Sequence, residues 1–322
     1  QFSVQRELPG LVLLDLAYMG MLSLKQFESF NLNERPDRFL ALGAAENNRV
    51  ANPFLGIAPA TSTLGTGATL VQSRLWPAYP QFTTLTMNGA NTGRAVYHAL
   101  QFKTEKRFSR GISFLFTYTF SKLIDNYTTS IVNTRRFRSV SEFDQTHALR
   151  LAAVYELPFR PANRLLKQIV GGWEATGFLS VDTGVPLTVT HANGRPVRIG
   201  NPRLDGPVTD RLGDRRSGNT VLNPYFDINA FRPLPNQYTV TPEPAFFSEL
   251  RAPTPKSVNF TLLKNFPIRE RLRLQVRMDA IGLTNTPTFG APGTNLSSLA
   301  TFGVINSASG SRQMIGSARL LF

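Results

Sequence analysis

Side chains able to do chemistry are few in this sequence and lie far apart. The three histidines are His98, His147 and His191, and no two of them share a helical spacing. The nearest carboxylate at a ligand-like distance is Asp144, just before His147. A metal centre needs several donors converging, so none is expected; His147 reads instead as an interfacial ring at a strand end. Cysteine is absent, which excludes disulfide frameworks, thiolate metal sites and cysteine nucleophiles. No Gly-x-Ser-x-Gly, P-loop or dinucleotide fingerprint occurs, and Gly65-Thr66-Gly67 lacks both a third glycine and a strand-to-helix context. The sequence therefore predicts no catalytic residue, no cofactor-binding residue and no metal ligand, and the chain reads as a non-enzyme.

One polar set stands out: Arg271, Arg273, Arg277, Asp279 and Arg319. Arginines at every second position have use for one another only on an extended strand, where alternate side chains share a face. Such a wall attracts an anionic solute or a carboxylate-bearing partner surface. The plainer reading is that these side chains pair with neighbouring carboxylates and water.

The elements that must position this set are strands. Arg271 to Leu283 places Leu272, Leu274, Val276, Met278 and Ala280 opposite Arg271, Arg273, Gln275, Arg277 and Asp279. The sharpest strand is Ile112 to Ser121, with Ile112, Phe114, Phe116, Tyr118 and Phe120 on one face and mostly small or hydroxylated residues on the other. Comparable alternation marks Phe2 to Leu8, Leu11 to Met19, Ala95 to Arg107, Thr146 to Leu157, Trp173 onward to Thr190, Lys256 to Phe266 and Ser311 to Phe322. Arg6 falls on the apolar face of the first of these. In the last, Met314, Gly316, Ala318, Leu320 and Phe322 form the apolar or small face and run to the terminal aromatic, a pattern that reads as an assembly signal for barrel insertion.

Between these strands the connections alternate in length. Pro9-Gly10, Ser109-Arg110 and Pro267 to Glu270 are tight, and Phe159 to Gly172 is of medium length with one amphipathic turn at Asn163 to Val170. The others are long loops, at about 20–94, 122–145, 191–255 and 285–310. Leu22 to Phe30 is read as a short helix within the first, and Trp76 to Phe82 as an aromatic brace. Sorting of loop length by parity is the habit of outer-membrane barrels, with short periplasmic turns and long extracellular loops. The predicted fold is therefore all-β, an antiparallel transmembrane barrel with Phe322 at the periplasmic end.

Composition agrees with that class. Across 322 residues, hydrophobic residues make up 42% and charged residues 17%, with 24 phenylalanines. No run of about 18 or more apolar residues occurs, so no transmembrane helix is written here. In lipid, the remaining way to satisfy every backbone group is a closed barrel. The formal charge of +14 is spread over strands and loops rather than gathered on one helix or stripe. Nucleic acid is therefore not an expected partner, and outer-membrane lipid and lipopolysaccharide suit the distribution better.

About nine strands are predicted, whereas bacterial single-chain barrels have even counts. The chain is thus expected to be the C-terminal part of a larger barrel, with its seam partner upstream of Gln1. Gln1 opens on neither a charged n-region nor an apolar h-region, so neither a signal peptide nor a plug is expected within the numbered chain.

At Phe226-Asp227-Ile228-Asn229-Ala230-Phe231, Leu263-Lys264-Asn265-Phe266-Pro267, Arg277 to Asn285 and Leu320-Leu321-Phe322, the sequence resembles the C-terminal barrel of TonB-dependent outer-membrane receptors. Tyr155-Glu156-Leu157-Pro158-Phe159 and Gly171-Gly172-Trp173 fit the same pattern. The branch it is most similar to is the Oar-like receptors, which carry an N-terminal carboxypeptidase-regulatory-like domain. That family usually has Asn where this chain has Gly282. The resemblance implies a barrel of about 22 strands, a plug domain, a TonB-contacting segment, assembly by the barrel-assembly machinery, and energy-coupled uptake of an unidentified solute across the bacterial outer membrane. A surface adhesin or structural barrel, and a passive porin, are the competing readings.

Overall fold

A computed structural model describes residues 1–128, 136–159, 161–269 and 272–322. Its principal sheet is a meander of β1 (Phe2–Leu8), β2 (Val12–Asn31), β3 (Thr86–Ser109), β4 (Ile112–Thr128), β5 (His147–Glu156), β6 (Trp173–Asp182), β7 (Lys256–Pro267), β8 (Arg273–Ile281) and β9 (Gln313–Leu321). Each strand pairs antiparallel with the next. The short strand Arg136–Val140 pairs with the far part of β4. Strictly sequential antiparallel pairing puts the connections alternately at two ends. The shorter links, those that follow β1, β3, β5 and β7, share one end, and the long ones share the other.

Register makes the two faces explicit. Phe116 sits opposite Thr104 of β3 and Leu151 of β5, and Leu151 sits opposite Leu179 of β6, which in turn faces Val258 of β7. Continuing through Phe260↔Ala280 and Ala280↔Met314, most of the large apolar residues of the nine strands fall on one side of the sheet, while Leu13, Leu115, Phe178, Leu263 and Ile315 fall on the other. The interleaved residues, including Gln5, Asp15, Glu105, Arg150, Asp182, Thr261 and Asp279, form the other side. Side chains as large as Phe2, Leu16, Leu100, Phe120, Met278 and Leu320 stay exposed on the apolar face. A contiguous apolar surface of this extent requires lipid or a partner to cover it.

Charged exceptions on the apolar face lie near its ends. Lys264 is buried, with its ammonium over the rings of Trp173 at 4.6 Å and Phe266 at 4.8 Å. It donates to the Ile169 carbonyl at 2.5 Å and the Gly171 carbonyl at 3.0 Å. These carbonyls close the helix Arg164–Val170, where a cation satisfies acceptors that the helix leaves open. The amphipathic turn expected at 163–170 is thus a helix clamped to the short-turn end of the sheet.

Turn chemistry explains the tight connections. Arg110 and Gly111, at φ 53° and 80°, join the Ser109↔Ile112 pair in a turn whose twist matches the strands. A Cβ on Gly111 would meet the Glu156 carbonyl oxygen at 2.9 Å. Gly282 has φ 64°, a left-handed geometry that Gly adopts freely and Asn tolerates, so glycine serves this turn where the resembled family has asparagine.

Several sequence expectations need correction. Leu22 to Phe30 is not a helix but the outer part of β2. Bulges shift the register between Leu24 and Gln26, Gln26 and Phe27, and Glu28 and Phe30, with Lys25 at φ 58°. The bulges move the apolar residues off period two and onto a spacing that imitates a helix. The first long loop is accordingly 32–85 rather than 20–94, and β4 with its Arg136–Val140 partner takes over most of the described part of 122–145. Strand β6 stops at Asp182, and beyond it Pro186–Leu187 pairs instead with Phe247–Arg251. Within 285–310, Thr288–Phe289 pairs with Ala308–Ser309.

Candidate functional site: polar wall and loop cap

Strands β8 and β9 bring most of the arginine set together. Arg273, Arg277 and Asp279 share the polar face of β8, and Arg319 joins them from β9, where it pairs with Gln275. Arg271 lies outside the described residues. Asp279 accepts from the Arg277 Nε at 2.8 Å and from the Thr261 hydroxyl at 2.6 Å. One arginine of the set is therefore neutralised within its own strand. Arg273 and Arg319 have no carboxylate partner among the described residues.

The polar wall continues round the sheet in the same style. Arg150 binds Asp182 through two bonds of 2.6 and 2.8 Å, Lys103 pairs with Glu105 at 2.9 Å, and Gln5 donates to Asp15 at 2.9 Å. Such polar contacts, cross-strand at Arg150–Asp182 and Gln5–Asp15 and within β3 at Lys103–Glu105, orient side chains and add little stability where water reaches them. Met314, Gly316, Ala318 and Leu320, which the sequence reading expects to act as an assembly signal, occupy the apolar face of β9, and Phe322 follows them fully exposed.

The histidines occupy other places. Tyr18 and His98 meet at 2.6 Å, and Tyr118 and His147 at 2.8 Å, on the apolar face towards the long-loop end. Phe120 packs its ring 5.3 Å from His147. This is the composition of an interfacial aromatic belt, rings with one wet edge. Asp144 does not approach His147 as a ligand. It is buried, accepts the Leu123 amide at 2.6 Å and the Thr146 hydroxyl at 3.0 Å, and pairs with Arg251 at 2.6 Å. No group of three or more possible metal ligands occurs among the described residues.

Over the long-loop end the connections pack into a cap with its own core. Val189, Phe226, Phe231, Phe247, Leu250 and Phe302 are all buried, and edge-to-face contacts of 5.1 Å (Phe226–Phe302) and 5.6 Å (Phe231–Phe247) hold the rings. These residues come from loops 183–255 and 282–312. The first loop adds a stack of Phe39 on Trp76 at 4.9 Å, which is the brace expected of the 76–82 stretch. It also touches the third long loop: Gln237 donates to Glu46, whose other oxygen pairs with Arg35. Arg251 ties Asp144 to the Gly184 carbonyl at 3.1 Å.

Within the cap, Arg211 donates to the carbonyls of Leu204, Tyr225 and Gly206 at 2.7, 2.8 and 2.7 Å and lies 5.2 Å from the Tyr225 ring. Burial raises the Tyr225 phenol above its ordinary range, against the opposing pull of Arg211. The Asn223 amide, 2.8 Å from Asp214, holds that carboxyl below its usual value. Sequence reading missed the Asp144–Arg251 tie, the Arg211 cradle and the phenylalanine core. The abundance of phenylalanine in otherwise Pro- and Gly-rich loops was the available signal for the last of these.

The family model described as outer membrane beta barrel domain matches residues 1–314. No curated protein sequence matches the chain. Among solved structures it is similar to the outer membrane transporter YddB from Escherichia coli, at 9% identity and a TM-score of 0.45, covering 99% of this chain and 31% of that one. It is also similar to the ferripyoverdine receptor of the outer membrane of Pseudomonas aeruginosa, at 11% identity and a TM-score of 0.42, covering 98% of this chain and 26% of that one. The chain thus spans less than a third of the length of these structures.

Proposed function

Because the chain belongs to the outer membrane β-barrel family, we propose that it is the C-terminal barrel portion of a TonB-dependent receptor of the Oar-like branch, which takes up an unidentified solute with energy from the inner membrane. On this reading the long-loop end is extracellular, β9 ends in the periplasm, and the polar face lines the lumen against a plug. The barrel-assembly machinery reads the last strand, and the seam partner of β9 is a strand encoded upstream of Gln1.

The observation that carries the reading is the pairing of a charged wall with a packed cap. Loops joined by a phenylalanine core and by the Asp144–Arg251 pair make a structured lid at the mouth, which suits capture of a solute before import. Arg273 and Arg319, without carboxylates of their own, are placed to meet acidic groups of a plug or an anionic solute. A passive porin needs an open mouth, which this cap does not favour. A surface adhesin gains support from large apolar side chains left exposed on the loops, such as Ile57 and Phe143.

The test is a comparison of solutes depleted from the medium by cells with the full-length gene, without it, and with it but lacking TonB. Import predicts that the same solutes remain undepleted in the last two. Depletion that persists without TonB favours a porin, and no depletion difference in any strain favours an adhesin.

A further inference from the structure

We propose that the long-loop end of the apolar face carries a pocket for the phosphorylated headgroup of an outer-leaflet glycolipid. The pocket holds about 630 Å³ and is lined by Lys122, His147, Arg203, Arg211, Tyr225 and Arg251, with Ser248 and Asp205 among the others. Its side of the sheet follows from register: Lys122 pairs with His98, one step beyond the Phe120↔Leu100 pair, and Phe120 pairs with His147. All of these belong to the apolar face. The cavity therefore reaches the apolar face of the sheet through Lys122 and His147, at the level of the Tyr118–His147 belt.

Its charge is matched to an anion. Arg251 is neutralised by Asp144, and Glu249 by Arg198 at 3.1 Å. Among the described residues the Lys122 ammonium meets the Ser248 hydroxyl, at 3.0 Å, and no carboxylate. Arg211 is held by three carbonyls and, among the described residues, by no carboxylate, so it brings an uncompensated positive charge to the cavity lining. Arg203 has only a loose pair with Asp205, at 3.4 Å and with both side chains largely exposed, which costs little to exchange. Two or three cations thus converge beside an apolar wall, where charge-assisted bonds to phosphate are strong. A phosphorylated glycolipid meets both halves of this surface: acyl chains against Phe120 and its neighbours, phosphate between Lys122 and Arg203.

The inference rests on the outward orientation of the long loops, not on import. Cleavage of the cap by protease added to intact cells checks that orientation separately. The binding test uses the full-length protein extracted from outer membranes in mild detergent, with bound lipid A measured by native mass spectrometry. The parent is expected to retain lipid A and the Lys122→Gln/Arg203→Gln pair to lose it at least tenfold, with heat-modifiable migration unchanged. Lys122→Arg should retain it, as should Arg110→Gln at the opposite end. Millimolar inorganic phosphate should not displace it, and dephosphorylated lipid A should bind weakly. Equal retention by the double variant, an equal loss in Arg110→Gln, tight binding of the dephosphorylated lipid, or displacement by free phosphate would each overturn the proposal.

Discussion

Phe116 and Phe226 are the same residue type in opposite surroundings. Phe116 stands on the apolar face of β4 opposite Leu151, half-exposed in a strand whose other face is mostly small or hydroxylated. Phe226 is 1% exposed at the centre of a loop core, edge-on to Phe302, which lies 76 residues away in sequence. The sheet obtains its order from hydrogen-bonded register and leaves its apolar surface for an outside solvent. The cap has few regular ladders and depends on burying apolar rings against one another. A membrane-facing surface and a water-facing one thus use the same side chain for different work.

The sharpest way to separate the two regions is to remove a ring from the cap. Phe226→Ala leaves a cavity in a packed site and should cost about 3–5 kcal/mol of cap stability. The expected readout is rapid proteolysis of the 183–255 and 282–312 loops while the strands keep their heat-modifiable migration. Loss of both together would mean that cap and sheet are one cooperative unit.

Asp144→Ala attacks the link between the regions. It strands the Arg251 guanidinium and frees the Leu123 amide. Arg251 keeps some solvent access, so the low end of the range for breaking a buried pair applies, about 3 kcal/mol. Hydrogen exchange should rise at the outer part of β4 and in Phe247–Arg251 more than in β7 to β9.

Within the sheet, Phe116→Arg should cost about 2–4 kcal/mol of stability in lipid, as expected at a barrel's midplane, while Thr117→Arg next to it should cost much less. Urea titration of the folded protein in bilayers measures both. Equal costs would erase the distinction between the faces.

The smallest effect concerns pH in the cap. Hydrogen bonding from Asn223 lowers the folded-state Asp214 value, so its contribution is fully present above the ordinary carboxylate range. It is lost as pH falls through the lowered value. Asp214→Asn should flatten the acid limb of cap proteolysis without changing the neutral-pH rate much.

Legibility in the sequence follows the same division. All nine strands of the meander were readable where they cross between two different environments, because period two then separates lipid-side from lumen-side residues. The projecting parts of β2 and β3 were not readable. Beyond the belt at Tyr18 and His98 neither face is forced apolar, and the bulges around Lys25 reset the phase into a helix-like spacing. The polar wall of Arg273, Arg277, Asp279 and Arg319 was visible because two adjacent strands carry it. The cap core was not, since Val189, Phe226, Phe247 and Phe302 come together only in three dimensions. The Asp144–Arg251 pair spans 107 residues, and no local pattern announces it.

The central claim is that one face of this sheet meets lipid and the other water. The chain contains no cysteine, so single cysteines introduced from Ile112 to Phe120 can carry spin labels one at a time. In bilayers, collision with oxygen should peak at Ile112, Phe114, Phe116, Tyr118 and Phe120, while collision with a water-soluble nickel complex should be higher at the residues between them. A flat profile, or the opposite phase, would contradict the account.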